Sequence, residues 1–220
     1  MKKVFAMAIF LLSFVVGAQA QSNPQNEFDY VGKIHNEVLS KFIQQNGGKK
    51  SSISQVIEQV KAITLANADY STRFGTQIPT ITEAQVKEGF ADYPNQFKNL
   101  IAATNISNGT KAKLNELLGI ISNAQGKNSS YEEVYALIVA YEVKIKNADL
   151  PKNEKEIIFG ASSVARYSSK MWIGEPNSTN GKLAVVLADI GGGILGGVLG
   201  GPGWGVFGAA LGSACAELAK

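Results

Sequence analysis

The stretch Gly191–Gly205, GGGILGGVLGGPGWG, constrains this chain more than any other. Glycine is a poor helix former, yet here it recurs every four residues among large aliphatics. Gly193, Gly197, Gly201 and Gly205 form one ladder, and Gly192, Gly196 and Gly200 form a second beside it. Gly208 and Gly212 extend the pattern beyond Pro202. On a helix, the pairs Ile194-Leu195 and Val198-Leu199 fall about 200° away from the glycines. One face is then bare backbone, the other is aliphatic, and neither is polar. A helix of that kind belongs in a core or in a membrane. Each interior glycine costs about 0.8–1.0 kcal/mol relative to alanine, so seven or eight of them cost roughly 6–8 kcal/mol. Such a loss rivals the ~5–15 kcal/mol net stability of a whole domain. Small-xxx-small ladders offset it by letting two backbones approach closely.

The spacing therefore predicts a helical hairpin with arms Leu183–Gly200 and Trp204–Leu218, turned at Pro202. Its expected helix-contact residues are Gly192, Gly193, Gly196, Gly197, Gly200, Gly201, Gly205, Gly208 and Gly212. Burial against the rest of the chain is the first expectation; surface insertion or oligomeric association at a membrane is the second, and a disordered tail the third. As a bilayer span the first arm is marginal, about 27 Å long against a hydrocarbon core of ~30 Å, and the second arm, about 22 Å, is too short. Asp189 inside the first arm would add about 2.5–3.5 kcal/mol at mid-membrane.

The N-terminus reads as an export signal. A basic start, MKK, precedes the apolar run Val4–Val16 and the small-x-small site Ala18-Gln19-Ala20, so residues 1–20 are expected to be a signal peptide cut after Ala20. Gln21 stands where a lipoprotein would carry cysteine, which argues against a lipid anchor. Loss of Lys2 and Lys3 reduces 21 basic residues to 19, against 18 acidic ones, a formal charge of +1. The sequence pI near 8.8 thus owes part of its value to the leader. No clustered basic face marks a nucleic-acid partner.

From residue 21 to 173 the chain reads as a body of successive amphipathic helices. Phe28, Val31, Ile34, His35, Val38, Leu39, Phe42 and Ile43 recur at helical spacing, as do Ile53, Val56, Ile57, Val60 and Ile63. Thr82–Gln85 and Ser130–Glu133 have the form of capping boxes. Pro94 is expected to interrupt or kink a helix. The turn-rich GEPNSTNG, residues 174–181, is expected to link the body to a glycine-rich hairpin over 182–220. Asn177-Ser178-Thr179 within it matches a glycosylation sequon in form only. No segment alternates as a strand does, so the fold class is all-α, a multi-helix bundle.

Catalytic chemistry finds little purchase. His35 is the single histidine, which excludes a multi-histidine metal site. Asp29 and Glu37 are its acidic neighbours in sequence, and a partly buried helix histidine is the plainer reading. No GxSxG elbow accompanies it. Cys215, the single cysteine, sits among alanines and reads as a small buried hydrophobe. Glu132 and Glu133 diverge by about 100° around a helix, and Glu133 is explained by its cap. No phosphate-binding glycine loop occurs, and no catalytic, cofactor-binding or metal-ligating residue is assigned.

Two segments carry a resemblance. NPQNEFDYVGKIHNEVL, Asn23 to Leu39, resembles the start of a loose group of exported bacterial proteins that carry an aromatic-valine-glycine step before a His-Asn-Glu helix, here Tyr30-Val31-Gly32 and His35-Asn36-Glu37. The C-terminal ladder is similar to glycine-zipper segments of bacterial envelope proteins and to two-peptide bacteriocins. The chain departs from zipper lipoproteins in lacking the lipidated cysteine, and from bacteriocins in having a secretory leader and a large helical body. The resemblance implies export and envelope association, without an activity. The sequence therefore points to an exported, non-enzymatic envelope or interaction protein that uses the hairpin for helix packing. A bacteriocin-like membrane-active protein is the alternative, and an enzyme centred on His35 a distant third.

Overall fold

The computed structural model describes residues 21–46, 51–90, 95–173 and 181–218. The leader 1–20, Pro94, and the 174–181 link apart from Gly181 lie outside them. Ten helices and no strand occur among the described residues: α1 (Asp29–Asn46), α2 (Ile53–Leu65), α3 (Ala68–Phe74), α4 (Glu83–Phe90), α5 (Asn95–Ala103), α6 (Asn108–Lys127), α7 (Tyr131–Lys146), α8 (Lys152–Ile173), α9 (Gly181–Gly200) and α10 (Pro202–Leu218). The chain is an all-α multi-helix bundle.

Local sequence sets most helix starts. Thr82 and Gln85 exchange the two hydrogen bonds of a capping box, at 2.9 and 3.3 Å, ahead of α4. Ser130 and Glu133 do the same for α7, and Ser52 and Gln55 for α2. Asn128 ends α6 in the left-handed region, φ 52°, which asparagine tolerates better than most residues.

The hairpin α9–α10 is the centre of the bundle rather than an appendage. Its two helices pack on each other, α9 lies against α8, α6 and α5, and α10 lies against α1, α2 and α8. Val186, Ile190, Ile194, Val206, Phe207, Ala209 and Ala210 are fully enclosed and belong to the same apolar cluster as Ile34, Val60, Leu117 and Val164 of the body. None of the described helices is long and apolar enough to cross a membrane.

The crossing of α9 and α10 explains the glycines. A Cβ placed on Gly192 would meet the Gly208 carbonyl closer than 3.0 Å, one on Gly196 would meet the Trp204 carbonyl, and one on Gly212 the Ala188 carbonyl. A Cβ on Gly205 would lie 3.1 Å from the Gly193 carbonyl. A Cβ on Gly193 would stand at ordinary contact distance from Ala209 of α10 and Val164 of α8, and one on Gly197 from Ile157 of α8. Gly201 differs from its expected role, because it touches no neighbouring helix. Its φ of 80° reverses the chain, while Pro202 opens α10, where a fixed φ and a missing N–H cost nothing.

Helix α8 is the second unusual element. Gly160 through Ser169 are all buried, so it runs through the interior. Small residues admit its neighbours: a Cβ on Gly32 of α1 would collide with the Ser163 carbonyl, and the Gly32 N–H instead donates to Ser163 Oγ at 3.0 Å. A helix buried on every side has nowhere to hide its polar side chains, and each needs a partner.

Candidate ligand-binding cleft

Two buried polar clusters supply those partners. In the first, Arg166 of α8 donates from Nε to Glu142 at 3.1 Å and from Nη2 to Asp29 at 2.6 Å, and its Nη1 reaches the Gln21 carbonyl. Glu142 also accepts from Asn23 and Asn26 at 2.6 Å each and from Ser162 at 2.7 Å. Asp29 accepts from Ser22 at 2.7 Å and Tyr167 at 3.0 Å. Burial by itself would lower the guanidinium pKa, but the Glu142 and Asp29 charges more than reverse that and raise it. The cluster fastens residues 21–26 across α7 and α8.

The second cluster contains His35. Sequence neighbours Asp29 and Glu37 do not pair with it: Asp29 serves Arg166, and Glu37 accepts from Asn67 at 2.9 Å. The imidazole is fully buried rather than partly so. Its Nε2 stands 3.6 Å from Asp189 Oδ2, too far for a hydrogen bond. Asp189 accepts from Ser168 of α8 and Ser213 of α10. Nδ1 donates to Asn36 Oδ1 at 2.9 Å, because the Asn36 amide nitrogen is committed to the Tyr167 carbonyl. Desolvation lowers the His35 pKa to about 4, against the Asn36 bond, so the ring is neutral at neutral pH. A histidine, a carboxylate and two hydroxyls are the ingredients of nucleophilic hydrolysis. Here His35, Asp189, Ser168 and Ser213 are all sealed at 0% exposure, out of a substrate's reach. The two serine–Asp189 hydrogen bonds tie α8, α9 and α10 together, with His35 of α1 packed beside them.

Cys215 is half-buried and its thiol is pushed up to about 12 by burial, which leaves it a poor nucleophile at neutral pH. Among the described residues no three His, Cys, Asp or Glu side chains gather to hold a metal. Lys111 and Lys155 donate to the Ala102 and Lys146 carbonyls, as solvated helix lysines do.

A concave feature of the surface lies over the hairpin. A cleft of about 850 Å³ opens along the α9–α10 seam. Gly192, Gly196, Gly208 and Gly212 leave its floor without side chains, and Leu195, Leu199, Trp204 and Leu211 stand along it. Ile81, Val86 of α4 and Phe97 of α5 face the floor from above. The volume falls within the ~300–1,000 Å³ of small-molecule sites. Leu199 is 72% exposed, the most exposed of the large hydrophobics among the described residues.

Sequence reasoning located the glycines and the turn but missed the cleft. Its walls come from three segments far apart in the chain. The one signal was that leucines flank the glycine pairs, which reads equally well as a buried aliphatic face. The chain matches no family model, no curated protein and no solved structure.

Proposed function

We propose that this chain is an exported, non-enzymatic binding protein that holds an apolar small molecule in the cleft above its glycine hairpin. The observation that carries the reading is the cleft itself, an apolar channel in a bundle whose acid–base groups are sealed inside. The leader-like N-terminus supports export. In this reading the ladders serve packing inside the molecule, because a side chain at Gly192, Gly196, Gly208 or Gly212 would drive α9 and α10 apart.

The test uses the neutral fluorophore N-phenylnaphthylamine, with energy transfer from Trp204 as the readout. Saturable binding is expected at one site per chain. Leu199→Lys, at an exposed position, should keep the fold and weaken binding about tenfold, roughly the loss of one apolar side-chain contact of 1.4 kcal/mol. Absence of saturable binding, or equal affinity in the variant, defeats the reading.

A further inference from the structure

We infer that the mature chain begins with a pyroglutamyl residue, formed when Gln21 closes on itself after the leader is removed. The inference rests on the export reading above and adds to it a covalent modification.

Cutting after Ala20 leaves glutamine as the first residue. Its new α-amine lies within reach of its own side-chain amide. The amine nitrogen attacks Cδ, an N–Cδ bond forms, the Cδ–Nε2 bond breaks, and ammonia leaves with a proton from the amine. No oxidant, reductant or second molecule is consumed. The product is a neutral lactam that keeps the backbone carbonyl of residue 21.

The structure favours that product over the open amine. Arg166, fully buried, donates from Nη1 to the Gln21 carbonyl. The α-nitrogen is two bonds from that carbonyl carbon, so an ammonium there would stand within about 7 Å of the guanidinium. Like charges at that range repel unless an anion intervenes. The two carboxylates of the cluster are already filled. Asp29 accepts from Arg166, Tyr167, the Ser22 hydroxyl and the Asn23 N–H. Glu142 accepts from Arg166, Asn23, Asn26 and Ser162. A carboxylate offers about four lone-pair sites, so neither has one left for an ammonium. The lactam brings no charge, and Arg166 retains its carbonyl. Tyr135 donates to the Ser22 carbonyl at 2.9 Å, which keeps the chain start beside the cluster. Gln21 itself is half-buried, and among the described residues no hydrogen bond holds its amide away from the amine.

The experiment is intact-mass spectrometry and stepwise N-terminal sequencing of the exported full-length product after storage at neutral pH. The expected mass is that of residues 21–220 less one ammonia. Sequencing should be blocked, and should read from Ser22 once the unfolded protein has been treated with pyroglutamyl peptidase. Gln21→Ala should retain its full mass and sequence directly. A chain that starts at Gln21 with its ammonia retained overturns the lactam and leaves export standing. Loss of ammonia in Gln21→Ala as well places the loss elsewhere and also overturns it. A chain that starts at any other residue overturns this inference together with the cleavage reading beneath it.

Discussion

His35 is a fully buried imidazole that acid would have to charge in place. Its pKa falls from an ordinary 6.5 to about 4 because the folded chain denies water to the imidazolium. The unfolded chain therefore binds the proton more readily between those two values, and stability rises with pH across that window. Lowering the pH from 7 toward 4 should forfeit about 3 kcal/mol from this residue. Glu154 acts in the same direction. Burial favours its neutral form, but the hydroxyls of Ser107 and Thr110, at 2.5 Å each, and the Ser107 N–H, at 2.9 Å, hold its pKa below the usual carboxylate value. Urea unfolding of wild type and His35→Gln between pH 4 and pH 7 measures the histidine's part: the variant's stability should depend less steeply on pH. A parallel pair of curves would show that His35 carries no such linkage. The approach of Asp189 to His35 was not legible in the sequence, since Asp189 lies on a helix far along the chain while Asp29 and Glu37 offered nearer carboxylates. The buried serines of α8 were hidden for a related reason: serine usually marks a wet face, and only the packing shows that these meet acceptors inside.

The elements were more legible than their partners. Capping boxes act within one helical turn, so Thr82 and Ser130 announced α4 and α7 without help from the fold. The glycine period specified the hairpin because close backbone approach is a demand of the helix pair itself. The turn was finer than the pattern: proline drew attention to position 202, whereas the positive φ sits at Gly201. Glycines of different environment should respond differently to the same change. Gly119 of α6 has nothing within 4 Å of a new Cβ, so Gly119→Ala should stabilise by about 0.5–1 kcal/mol through helix propensity alone. Gly208→Ala drives a methyl into the Gly192 carbonyl and should cost about 1–3 kcal/mol or more, since backbone must shift to admit it. Thermal melts of the two variants should move in opposite directions. A shared direction would mean that the α9–α10 crossing is looser than its geometry.

At the scale of the molecule, the hairpin completes the body's core. Val185, Leu187, Phe207 and Leu211 belong to one apolar cluster with residues of α1, α2, α6 and α8. A chain ending at residue 173 loses that partner, so it should unfold or aggregate, with circular dichroism and sedimentation as the readouts. Independent folding of that fragment would make the hairpin an appendage after all. The same architecture bears on the membrane-active alternative. To meet lipid, the hairpin must leave α8 and α1 and carry Asp189 out of its ring of hydroxyls. Full-length protein should therefore release no dye from anionic liposomes at neutral pH. Rapid leakage there would favour the bacteriocin-like reading over the binding one.

The central place of α9 and α10 also has a consequence for the timing of folding. They follow α1–α8 in the chain, yet α1 packs directly on α10. Synthesis must therefore pass the glycine ladders before this interior can close. A nascent chain stalled short of them presents open apolar faces on α1, α2 and α8, and so depends on whatever shields those faces meanwhile.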